Sequence, residues 1–186
     1  MNLNMEKRFI PLLIMLGFLI ILIITPIVAA VFDIPVITLD TPDISIASFD
    51  YWSVGHLLWG VALFVFFFTI GFIAKNITGN SQAPINPPEF KKLVIFWVIT
   101  LVIAGIWEII ENTLIYAVGI KVEFDSPANI ITDITLWGFG GLISWYMTDL
   151  MFLSEKYIRA YYIYGFMSLT MGVLIFVFFG LITTTY

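Results

Sequence analysis

Cysteine is absent from the 186 residues, and histidine occurs once, at position 56. Without cysteine there is no disulfide framework and no thiolate-bound metal. With a single imidazole there is no multi-histidine zinc, copper or haem site within the chain. Charge is scarce as well: 11% of residues are charged, where a soluble domain has about a quarter. The eight Lys and Arg are outnumbered by thirteen Asp and Glu, for a net charge of −5. That balance argues against nucleic acid as a partner, because nucleic acid is bound by basic patches.

What is present is apolar surface, at 61% of residues. A helix that crosses a bilayer needs about 20 mostly apolar residues. Five segments meet that test: 9–32, 53–75, 93–118, 129–152 and 161–184. The expectation is an all-α, polytopic transmembrane helix bundle forming a single domain over 1–186, a multi-pass protein of the cell membrane whose first partners are membrane lipids.

The basic residues orient it. Lys7 and Arg8 precede the first segment, Lys75, Lys91 and Lys92 flank the second connection, and Lys156 and Arg159 lie in the fourth. If five spans alternate, these seven share one side and only Lys121 falls on the other. The positive-inside rule then puts the N-terminus in the cytoplasm and the C-terminus outside. Tyr51, Trp52 and Tyr186 suit the outer interface, and Trp145, Tyr146, Tyr157, Tyr161 and Tyr162 the inner one. Lys7-Arg8, the first apolar run and Val28-Ala29-Ala30 also fit a signal peptide, but the run is long for one, which favours a retained span.

The first outer connection, DIPVITLDTPDISIASFDYW, alternates apolar residues around Thr41-Pro42. That pattern is consistent with a short hairpin acting as a lid, or with an interfacial loop, the reading preferred here. The second connection, NITGNSQAPINPPEF, is a cytoplasmic Pro/Gly/Asn loop. Its Asn76-Ile77-Thr78 pattern would then lie on the wrong side for glycosylation.

Polar residues that interrupt the apolar runs gather mainly at one end. In WEIIEN, Glu108, Glu111 and Asn112 share a helical face, which Ala104 and Gly105 continue inward. In FDSPANIITD, Ser126 is the natural N-cap and Pro127 the first helical residue. Asn129 and Asp133 follow one turn apart, with Gly140, Gly141 and Ser144 farther along, where small residues admit a neighbouring helix. His56 lies one turn inside its helix, and Gly60 follows on its face. His56, Glu108, Glu111, Asn112, Asp125, Asn129 and Asp133 therefore all fall in the outer half. Intramembrane acids usually mark function. To persist there they must be protonated, share protons, or hold a bound cation.

The order GHLLWG, WEIIEN, DSPANIITD resembles a bacterial family of uncharacterised membrane proteins with W-E-x-x-E-N and D-S-x-x-N-x-x-x-D motifs. It is more distantly similar to VanZ-like and YjdF-type membrane proteins. The resemblance covers about residues 50–145. It implies that His56, Glu108, Glu111, Asn112, Asp125, Ser126, Asn129 and Asp133 are the family's polar positions. VanZ-like proteins often carry an Asp-Lys pair before the histidine, whereas here DYWSVGH has no lysine. The resemblance implies no mechanism.

Three functional readings remain open. The first is an enzyme acting on a lipid-linked or amphipathic substrate at the outer leaflet. Glu108, Glu111 and Asp133 would hold a divalent cation (Mg²⁺, Mn²⁺ or Ca²⁺), which suit oxygen-rich sites. His56 would act as general acid or base, with Glu108 beside it. Asn112, Asp125, Ser126 and Asn129 would bind or orient substrate. The second is proton or cation transport, for which the inner half offers mainly Ser144, Thr148 and Asp149. The third is an accessory subunit of a larger membrane complex. The small-residue stripe Gly165, Ser168, Gly172 would give such a subunit a docking face for other membrane chains.

Overall fold

The computed structural model describes residues 3–39, 44–78, 89–121, 123–154 and 158–184. Five helices follow in order: α1 Leu3–Val31, α2 Tyr51–Thr78, α3 Phe90–Ile110, α4 Pro127–Ser154 and α5 Ile158–Thr184, with α3 continuing into a π-helical turn, Glu111–Ile115. Each lies on one of the five expected segments. Four of them, α1, α2, α3 and α5, are long and apolar enough to cross a membrane.

The exception, α4, is the helix that the others surround. It packs against α1, α2 and α3, while α5 closes on α2. Glycines on α4 receive all three neighbours. A Cβ at Gly138 would meet Phe18 of α1 and Leu101 of α3; one at Gly140 would meet the Leu57 backbone of α2; one at Gly141 would meet Trp97 of α3. On α2, a Cβ at Gly60 would run into the Trp137 carbonyl. The Ser144 hydroxyl donates to Val61 O at 3.1 Å, and Trp97 Nε1–H donates to Gly138 O at 2.9 Å. A helix enclosed by its neighbours shows little surface to lipid, so it tolerates the polar residues that make α4 less apolar.

Phe64, Val65, Phe68, Leu93, Leu142, Trp145 and Tyr161 form the apolar core. Trp145 and Tyr161 are therefore core residues and not interfacial anchors, since both are fully buried. The Tyr161 hydroxyl has a partner in the Thr148 hydroxyl, 2.7 Å away, which removes the need for it to reach water. The α5 stripe is filled from within the chain. A Cβ at Gly165 would strike Val65, and one at Gly172 would press on Trp59, both on α2.

The connection from α1 to α2 is a folded loop. Its residues 40–43, which hold the Thr41-Pro42 turn signal, lie outside the described residues, as does the second connection from 79 to 88. Ile37 and Phe49 form a single parallel bridge. A hairpin needs antiparallel pairing, so its described parts do not form one. The backbone carbonyls are spent elsewhere: Ser45 O accepts from Ser126 N at 2.7 Å, Ile46 O from the Ser126 hydroxyl at 2.7 Å, and Ala47 O from Asn129 Nδ2 at 3.0 Å. The loop thus sits on the start of α4. Ser126 also caps that helix, its Oγ accepting the Asn129 N–H at 3.1 Å, one of the N-terminal donors with no partner inside the helix.

Candidate functional site

The polar ends of α2, α3 and α4 meet beneath this loop. The close backbone approach at Gly60 and Gly140 brings His56 of α2 against α4. Trp137 Nε1–H donates to His56 Nδ1. On the ring's other edge, Nε2 lies 3.5 Å from Asp133 Oδ2. Both side chains are almost wholly buried. Indole is only a donor, so Nδ1 is the acceptor and the neutral ring carries its proton on Nε2. His56 therefore offers a proton, and not a lone pair, on the Asp133 side.

Glu108 of α3 faces the same space. It is 4% exposed, and neither carboxylate oxygen has a hydrogen-bond partner among the described residues. One ligand atom each from His56, Glu108 and Glu111 lies within 4.8 Å of the other two. Among the described residues these three form the compact set. Asp133 belongs one step behind, reached through His56. Its other oxygen is 3.4 Å from the Ser53 hydroxyl.

A second group binds α3 to α4. Asn112 Nδ2 donates to Asp125 Oδ2 at 2.8 Å, and Asp125 N–H donates back to Asn112 Oδ1 at 2.8 Å. Asn112 also donates to Glu108 O at 3.0 Å, tying the joint to the acid. Lys121 completes it, pairing with Glu111 Oε1 at 3.0 Å and with Asp125. Burial alone would lower the Lys121 pKa; the charges of Glu111 and Asp125 outweigh that and raise it. The connection reaches Lys121 through Gly119, at φ 75°, a left-handed conformation that glycine adopts without steric cost.

Of the residues singled out in the sequence, His56, Glu108 and Glu111 converge most tightly, and Asn112 and Asp125 pair beside them. Ser126 and Asn129 serve the loop and the helix cap. Gly105, expected on the inward face, has open space around it, whereas Ala104 is buried. Ser53, Trp137 and Lys121 were not singled out as site residues, yet each touches one, and Asp50 joins them through Ser53. Asp50 and Ser53 form a reciprocal cap at the start of α2: Asp50 N–H donates to Ser53 Oγ at 3.1 Å, and Ser53 N–H to Asp50 Oδ1 at 3.0 Å. The D-x-x-S spacing before an apolar helix carries that signal. Trp137 stands four residues after Asp133, on its face. Lys121 is visible as the one basic residue on its side.

Aromatic rings wall this region. Phe176 of α5 lies edge-on to His56 at 5.5 Å and to Trp107 at 6.0 Å, and contacts Trp52 at 5.0 Å. The cluster thus gathers Asp50, Glu108, Glu111, Asp125 and Asp133 around one lysine and a neutral histidine. Such an arrangement can hold a cation, and the Nε2–H of His56 can donate a hydrogen bond to a neighbouring carboxylate or bound oxygen. The chain matches no known protein family, no curated protein and no solved structure.

Proposed function

We propose that this chain is a five-span protein of the cell membrane, N-terminus cytoplasmic and C-terminus outside, whose outer-leaflet site binds a divalent cation and acts on a lipid-linked or amphipathic substrate. One observation carries the reading: Glu108, buried without a hydrogen-bond partner, facing His56 and Glu111. A lone carboxylate in that position is expensive unless something positive or a proton joins it. Glu108 and Glu111 supply the anionic oxygens for Mg²⁺, Mn²⁺ or Ca²⁺, and water completes the shell, as is usual for Mg²⁺. A cation there polarises a phosphoryl or carbonyl oxygen of the substrate. His56, neutral and with its proton on Nε2, would polarise the substrate oxygen as a hydrogen-bond donor, and Asp133 orients that edge of the ring.

The other readings have less support. In the inner half, Ser144 and Thr148 spend their hydroxyls on helix packing, so of the polar stripe named for transport only Asp149 is left to favour it. The α5 stripe meets α2 of the same chain, so it argues for no accessory role. The resemblance to the W-E-x-x-E-N proteins agrees with the choice of residues but adds no chemistry.

Titration of the purified protein in lipid nanodiscs with Mn²⁺, followed by the loss of the free-ion paramagnetic signal, tests the reading. Saturable binding that Glu108→Gln and Glu111→Gln each weaken by about a hundredfold is expected for loss of one of two anionic ligands. Binding that is indifferent to both changes would overturn it.

A further inference from the structure

We infer that Lys121 is a tethered occupant of the cation site: its ammonium and the divalent ion compete for the Glu111 carboxylate, so that one leaves when the other binds. The inference rests on the divalent-ion reading above and adds the regulation of that site.

Glu111 belongs to two sets at once. With Glu108 it supplies the two carboxylates of the compact group that His56 flanks. With Asp125 it cradles the Lys121 ammonium, 3.0 Å from Glu111 Oε1. An ion on Glu111 would thus stand within a few ångströms of a second positive charge, and the two repel. Both draw on the same carboxylate for neutralisation. Either alone is well served; together each weakens the other's hold.

The surroundings let the lysine go. Lys121 sits on the connection between the π-helical turn and α4, its side chain 11% exposed, at the end of a flexible four-carbon stem that reaches water by rotation. Asp125 keeps its place without it, because Asn112 Nδ2 still donates to its carboxylate and Asn112 Oδ1 still accepts its backbone N–H. The α3–α4 joint therefore survives the departure of the ammonium, and Glu111 is then neutralised by the ion. With the site empty, the ammonium returns and spares the protein a repelling pair of acids. The device keeps the fold intact when no ion is bound and opens the connection when one is.

Competition has a measurable size. If the ammonium occupies the cradle in about nine molecules of ten, the apparent ion affinity is reduced about tenfold. Mn²⁺ titration of Lys121→Met in nanodiscs is therefore expected to show about tenfold tighter binding than the unchanged protein, and Lys121→Arg no gain. A second readout needs no variant. Reductive methylation of the unchanged protein, mapped by peptide mass spectrometry, should modify Lys121 faster when Mn²⁺ is present, while Lys91 and Lys92 react alike in both conditions. Should Lys121→Met fail to fold, the methylation rate alone decides. Equal or weaker binding by Lys121→Met, or a Lys121 methylation rate indifferent to Mn²⁺, would overturn the exchange. The ion site itself would still stand if Glu108→Gln weakens Mn²⁺ binding. Absence of Mn²⁺ binding in both the unchanged protein and Lys121→Met would overturn both inferences together.

Discussion

Two carboxyl groups at this end of the bundle meet opposite fates. The Glu108 carboxylate has no hydrogen-bond partner among the described residues, whereas Asp50 accepts from the Ser53 backbone and still carries a penalty. Burial pushes the Asp50 carboxyl from 3.8 up to about 6; the Ser53 and Trp52 backbone N–H groups oppose the rise, and the charges of Asp125 and Glu111 add to it. A carboxyl whose pKa is raised by folding binds its proton more tightly in the folded chain. Its protonated form thus favours the fold at low pH, and that stabilisation is lost as pH climbs from about 4 through about 6. Asp50→Asn removes the titration while keeping a side-chain oxygen for the Ser53 N–H. The variant should equal the unchanged protein near pH 4 and exceed it above pH 6, by about 1–3 kcal/mol. Thermal unfolding in detergent micelles across that range measures the difference. Parallel pH profiles for the two proteins would contradict the account.

Helix contacts here are decided by glycines, and they are not equivalent. At Gly60 a Cβ would run into the Trp137 carbonyl, and at Gly140 into the Leu57 carbonyl. Backbone cannot rotate aside as a side chain can, so either alanine must drive α2 and α4 apart. That separates His56 from Asp133 and Trp137 as well. Gly60→Ala should cost about 1–3 kcal/mol or more, read as a lowered unfolding temperature in micelles with weakened Mn²⁺ binding. Gly105→Ala is the control: nothing lies within 4 Å, and alanine in a helix interior gains about 1 kcal/mol over glycine. If both variants unfold alike, the close approach is not what holds α2 on α4. Glycine spacing was visible in the chain, as were the five apolar runs and the Ser126 cap. What each glycine faces was not, because spacing fixes a helix face but not its neighbour. The buried place of Trp145 and Tyr161 was hidden for the same reason: an aromatic near a helix end reads as an interfacial anchor until a partner such as Thr148 is found. WEIIEN announced the acids, and geometry then separated their roles. Glu111 turned to Lys121 while Glu108 was left without a partner, a difference that arises from the connection after Gly119 and not from the motif.

For the whole molecule, the proposed orientation couples two otherwise independent distributions. Seven of the eight basic residues lie at one end if the spans alternate, and the acid cluster lies at the other. The helix lengths agree with a common direction. At ~1.5 Å per residue, the 28 residues of α4 reach about 42 Å, enough to run the depth of a bilayer between α1, α2 and α3. The connections at the acid end, 32–50 and 116–126, touch each other through Ser45 and Ser126, so they lie on one side. Because the chain has no cysteine, single cysteines report the sides directly. Glu123 and Lys91 flank α3 at opposite ends, and both are exposed. On intact cells, a membrane-impermeant maleimide should label Glu123→Cys, and Lys91→Cys only after permeabilisation. The reverse result would leave the helix packing and the ion site untouched but turn the site toward the cytoplasm, and the substrate would then be an inner-leaflet one. Equal labelling of both positions on intact cells would mean that α3 does not separate two compartments. In that case the acids would lie in water, where hydration accommodates their charge and no bound cation is required.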